Sequence, residues 1–192
     1  MKIKLNSLLM IFLLLGISAC GESEDIENEE NSGEETVDYD QFMQELVDIE
    51  NKINANVANP DKELLKEAIT KYQDLAGFFP EDPKAPEYLF KASDLALSTG
   101  QPEKSVKILT RIMDEYPEYE KMEDVMFNKA SHLDFELRDT TAAKELYADF
   151  IEKYPESELV DDAESRIENI SLSLDELVEK FMANIEETPE VP

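Results

Sequence analysis

The sequence predicts an all-α fold, an antiparallel solenoid of helix hairpins with a C-terminal capping helix. Three observations lead there. From residue 41 onward apolar residues recur every three or four positions, the period of a helix with one buried face. Over the same stretch the only glycines are Gly77 and Gly100, and no Asn-Gly or Asp-Gly pair offers a hairpin turn between strands. Three aromatic–proline pairs, Phe79-Pro80, Tyr116-Pro117 and Tyr154-Pro155, follow one another at spacings of 37 and 38 residues, a period in the range of helical repeat arrays.

The elements follow in order. Phe42, Leu46, Ile49, Ile53 and Val57 form one stripe and predict a helix over 41–57. Asn59-Pro60 reads as a cap followed by proline at the first helical position, opening a helix over 61–79 that carries Leu64, Leu65, Ala68, Tyr72 and Leu75. The same logic gives helices near 84–99, 102–116, 121–137, 140–154, 157–170 and 174–187. Gly100 lies just past one helix and Pro102 just inside the next, while Asp139 is placed to cap the helix that follows it. Ser173 and Glu176 have capping-box spacing. The last helix presents Leu174, Leu177, Val178, Phe181 and Ile185 as one stripe, the face expected to close the array.

The three prolines set a register. Twelve residues before each lies a small residue (Ala68, Ser105, Ala143), eight before a large one (Tyr72, Leu109, Tyr147), and five before another (Leu75, Ile112, Phe150). A small side chain lets two helix axes approach while the large ones fill the space beside them. Leu89-x-x-Ala92-Ser93 and Phe127-x-x-Ala130-Ser131 supply the facing helices. These positions, with the closing prolines, resemble the tetratricopeptide repeat, a helix-turn-helix unit. The second alanine of that pattern is replaced by Leu75, Ile112 and Phe150, and the first hairpin lacks the first-helix motif. The longer turns, with Tyr-Pro-Glu-Ser at 154–157 and Asp-Asp-Ala at 161–163, look like a narrower group. That group contains the BamD-like outer-membrane lipoproteins and the repeat domain of the periplasmic cell-division coordinator.

The N-terminus has a different character. Lys2 and Lys4 precede an apolar run, Leu8 to Leu15, that ends in Ile17-Ser18-Ala19-Cys20, the order of a secretory signal. The run is shorter than the ~20 residues of a membrane-spanning helix. A cysteine after the small residues resembles the bacterial lipoprotein signal. That resemblance implies cleavage of residues 1–19, a diacylglycerol on the Cys20 sulfur and an acylated amine, an anchor of two or three chains that holds stably. Residues 21–40 contain ten acids and no base, a composition that extends itself and cannot form a core. Residues 20–40 are therefore expected to form a lipidated tether, 41–187 the repeat domain and 188–192 a tail. Glu22, Glu24 and Asp25 resemble the surface-export signals of Bacteroidetes lipoproteins, so the expected location is the outer membrane, on its periplasmic face or at the cell surface.

Charge and chemistry narrow the function classes. Without residues 1–19 the chain holds 46 acids against 16 lysines and arginines, a net charge of −30 that repels nucleic-acid phosphates. Cys20 is the only cysteine, so no disulfide is available and stability must come from packing. No glycine-rich phosphate loop, calcium-loop spacing or histidine pair occurs, and the lone His132 reads as a structural residue. No catalytic residue, metal or cofactor is expected. In repeats of this kind the first helix of each hairpin lines a concave groove. Projecting the register places Glu87, Phe90, Asp94 and Leu97 there from one hairpin, and Val125, Asn128, His132 and Phe135 from the next. No lysine or arginine occupies these positions, so an apolar or basic ligand is expected rather than an acidic chain end. The sequence thus points to a non-catalytic scaffold or adaptor for envelope proteins. Its rival is a surface lipoprotein binding cations, basic peptides or glycans through its acidic face.

Overall fold

A computed structural model of the protein describes residues 38–187, in which every regular element is helical. The signal segment, Cys20 and most of the acidic tether, together with the tail 188–192, lie outside the described residues. Among the described residues eight α-helices run in order: α1 (Tyr39–Asn54), α2 (Lys62–Phe78), α3 (Ala85–Ser98), α4 (Pro102–Glu115), α5 (Met122–Ser131), α6 (Thr140–Lys153), α7 (Val160–Asn169) and α8 (Leu174–Glu187). A five-residue π-helical turn, His132–Glu136, extends α5. From α1 to α7 each helix packs on the next, which is the hairpin solenoid that the proline period predicts.

The register holds at its centre. Ala68, Ser105 and Ala143 are fully buried, as are Leu109, Tyr147, Leu75, Ile112 and Phe150, and Tyr72 is nearly so. All but the polar Ser105 belong to one continuous hydrophobic core that begins with Leu46 and Ile49 of α1 and reaches Ala163 of α7. Aromatic edges stitch the third hairpin, α5–α6: the Phe127 ring lies 5.6 Å from both Tyr147 and Phe150. Gly100 takes φ 74°, and Gln101 N–H reaches back to Ala96 O at 2.8 Å, the left-handed helix stop expected of that glycine. Asp139 accepts from Ala142 N–H at 3.1 Å, and Ser173 with Glu176 forms the reciprocal box through Ser173 N–H at 2.7 Å and Glu176 N–H at 3.3 Å.

Four details differ from the sequence expectation. Helix α1 stops at Asn54, and Val57, assigned to its stripe, is 72% exposed in the turn that follows. That turn is closed locally by Asn56, whose side-chain amide donates to Asn59 O at 2.8 Å. Asp61, not Asn59, caps α2 by accepting from Glu63 N–H at 2.9 Å, so Pro60 stays outside the helix. Helix α7 starts at Val160, three residues later than expected, because Ser157 is held in the turn: its N–H donates to Tyr154 O at 3.0 Å. Finally, α8 forms over the expected residues, yet Leu174, Val178, Phe181 and Met182 of its apolar face stand 52–76% exposed. It touches α7 through Lys180, which donates to Glu168 at 2.8 Å and Asn169 at 2.9 Å. None of the helices of the described residues is long and apolar enough to cross a membrane.

Candidate functional site

The first helices of the hairpins are α1, α3, α5 and α7, and the candidate groove lies along them. Between α1 and α3 the surface opens into a cavity of about 360 Å³, floored by Ala68 and Tyr72 of α2. Its walls are Glu50, Ile53 and Asn54 from α1 and Lys91, Asp94 and Leu95 from α3. Tyr72 donates its hydroxyl to Glu50, and burial followed by that bond raises the phenol pKa above its ordinary value. Lys91 sits 3.7 Å from the Glu50 carboxylate and 5.5 Å from the centre of the Tyr72 ring. Lys91 is therefore a groove cation that the projected positions omitted, and an acid already answers it. Asp94 differs: among the described residues it has no hydrogen-bond or ion-pair partner, and desolvation, then the charge of Glu87, raises its carboxyl above the usual range.

The structure separates the eight projected groove residues. Asp94 lies at the cavity, with Phe90 and Leu97 half-buried on the same helix. Asn128 is half-buried on α5, and Phe135 is 45% exposed on the π turn, with the Arg166 guanidinium of α7 4.2 Å from its ring centre. Val125 does not belong to this surface, being fully buried in the core. His132 is also buried, with Nδ1 3.1 Å from Ser105 Oγ, and burial holds its pKa below the ordinary value. Glu87 is pulled to the end of α3, where the Tyr119 hydroxyl and Lys121 Nζ (2.9 Å) both donate to it and lower its pKa.

One inserted residue explains the misplacements. The start of α5 follows that of α3 by 37 residues, whereas Arg138 follows Gly100 by 38. The additional residue is absorbed in the π turn, which holds more residues per turn than an α-helix. Before that turn the buried counterparts are Tyr88 with Val125 and Leu89 with Met126; after it, Ala96 with Asp134. A single spacing of 38 carried through α5 therefore equates Val125 with exposed-side Glu87 instead of inward-facing Tyr88. The same turn buries Asp134, which accepts from Arg166 Nε at 2.7 Å and from Nη2 of the same guanidinium. This ion pair ties the third hairpin to α7 and was not anticipated, since Asp134 is one acid among 46.

Among the described residues no group of three or more His, Cys, Asp or Glu side chains is placed to hold a metal ion. The family model for the tetratricopeptide repeat matches residues 87–119 and 124–157, which are α3–α4 and α5–α6 with their closing turns. These two segments thus match tetratricopeptide repeats, units that generally mediate protein–protein interaction. A search of curated proteins finds no match to the chain.

Proposed function

We propose that the protein is a lipid-anchored, non-catalytic scaffold of the bacterial cell envelope, fixed to the outer membrane through Cys20. Its first-helix groove holds a partner protein through apolar and cationic groups of that partner. The observation that carries this reading is the cavity between α1 and α3. It combines the apolar Ile53 and Leu95 with Asp94, an acid without a partner among the described residues, while its lysine, Lys91, is matched by Glu50. A basic side chain entering there gains a charge-assisted contact, whereas an acidic chain end meets a lysine that is already engaged. The lipid anchor is supported by the order Lys2/Lys4, apolar run, Ile17-Ser18-Ala19-Cys20, and the acidic stretch after it supplies reach between membrane and groove.

A photo-crosslinking residue introduced at Ser98 or Leu97 in cells should yield one discrete adduct with an envelope protein. The same residue at Glu152, exposed on α6, should not. Asp94→Lys should remove the adduct, and Cys20→Ser should move the protein out of the membrane fraction. Adducts equally frequent from α6, or an adduct indifferent to Asp94→Lys, would remove the groove from the account. A mature terminus carrying an unmodified thiol would remove the anchor.

A further inference from the structure

We propose a second docking site, separate from the groove: the cleft between the turns that close the first two hairpins, fitted to an extended basic peptide. The cleft has a volume of about 750 Å³, within the ~300–1,000 Å³ typical of ligand sites. Its two walls are copies of one turn. In each, the N–H three residues after the aromatic donates to the aromatic's carbonyl, Asp82 to Phe79 at 3.0 Å and Tyr119 to Tyr116 at 2.9 Å. Each turn is then stapled to the first helix of its preceding hairpin. Tyr39 donates to Asp82 at 2.7 Å, and Tyr119 donates to Glu87. The cleft is thus preorganised, so a ligand need not order it on binding.

Its chemistry selects the ligand. Prolines such as Pro80 and Pro117, with the rings of Tyr116 and Tyr119, give apolar and aromatic walls suited to alkyl stems and guanidinium planes. Six carboxylates line it against two lysines, and one of those, Lys121, is already bonded to Glu87. Asp82, Glu87 and Glu115 are engaged by Tyr39, Tyr119 and Arg111, which leaves Glu81, Glu118 and Glu120 without partners among the described residues. Tyr116 lines the cleft, and its hydroxyl is shielded from solvent with no hydrogen-bond partner among the described residues. Arginine side chains would lay their planes on the tyrosines and their charge against the free glutamates. The next turn keeps the backbone pattern, Ser157 N–H to Tyr154 O at 3.0 Å, but places serine where Tyr119 stands.

That third turn is the internal control. The probe is a short peptide of alternating glycine and arginine, titrated into the ¹⁵N-labelled repeat protein at physiological salt. Amide shifts should concentrate on 80–87 and 115–121. Reversing two exposed acids of the cleft, Glu81→Lys with Glu118→Lys, should weaken binding about tenfold or more. The same reversal on the third turn, Glu156→Lys with Glu158→Lys, should change it by less than about twofold. All four side chains are exposed, so folding is not at stake. Shifts spread evenly over the acidic surface, or equal losses from the two reversals, would show general attraction to a polyanion and overturn the proposal. Its failure leaves the groove reading untouched, because Asp94 and the cavity beside α1 are not altered.

Discussion

Replacing Arg138 by glycine should make the protein more stable. Arg138 has φ 57°, at the position that Gly100 fills with φ 74° one repeat earlier. An L-residue in the left-handed region costs about 1–2 kcal/mol because Cβ crowds the next carbonyl. Glycine avoids that cost but gives up about 0.5–1 kcal/mol through its freer unfolded chain. The balance favours Arg138→Gly by roughly 0.5–1 kcal/mol, or about 1–4 °C in a domain of this size. The arginine side chain is exposed and makes no hydrogen bond or ion pair among the described residues, so little is lost with it. Gly100→Ala is the mirror experiment. A Cβ there meets nothing within 4 Å, so the expected loss of about 1 kcal/mol is a backbone cost alone. Urea titrations followed by far-ultraviolet circular dichroism measure both. A lower midpoint for Arg138→Gly, or no change for Gly100→Ala, would refute the claim that both residues perform the same left-handed stop.

Phe150→Ala should cost about 3–5 kcal/mol, since the ring is fully buried against Phe127 and Tyr154; an unchanged urea midpoint would contradict the repeat register. Asp134→Ala should cost about 1–3 kcal/mol by stranding the partly exposed Arg166, and adding Arg166→Met should recover part of the loss. Strictly additive effects in that double-mutant cycle would mean that the ion pair does not couple the third hairpin to α7. His132 gives a pH signature. Burial depresses its folded pKa, partly opposed by Glu136, so the unfolded chain binds its proton first. Its contribution should therefore fall as pH drops below about 6.5, and His132→Asn should lessen the loss of stability between about pH 7.5 and 5.5. Identical slopes for the two proteins would show that His132 is not held neutral by the fold.

The core was legible from sequence because each of its signals is local and repeated. Ala68, Ser105 and Ala143 occupy a place where only a small side chain lets two helices meet, and proline marks the end of the same helix each time. Capping by Asp139 and the Ser173–Glu176 pair also needs only neighbours within one turn. Helix α8 shows the limit of such patterns. Its stripe specifies an amphipathic helix, but periodicity carries no information about whether a neighbouring face covers it, and Phe181 stands 62% exposed.

The groove was only partly legible, and the reason is geometric. A surface position is defined by rotation about the helix axis, so one inserted residue turns each later side chain by about 100° in a regular α-helix. Core positions tolerate that ambiguity, because the buried face is broad and Met126 can stand in for Phe127 as the counterpart of Leu89. Surface positions do not. The aromatic–proline spacings already contain the discrepancy, 37 and then 38, and the additional residue had to enter between Pro117 and Pro155. Placing it requires knowing which turn can widen, and the π turn at His132–Glu136 is offset by partners far away in sequence, Ser105 for His132 and Arg166 for Asp134. Neither partner follows from periodicity, since Ser105 registers as a spacing residue and Arg166 as one charge on an exposed helix. Widening this one turn is therefore what lets a 38-residue unit stack on a 37-residue one while Phe135 stays outward and Asp134 reaches α7.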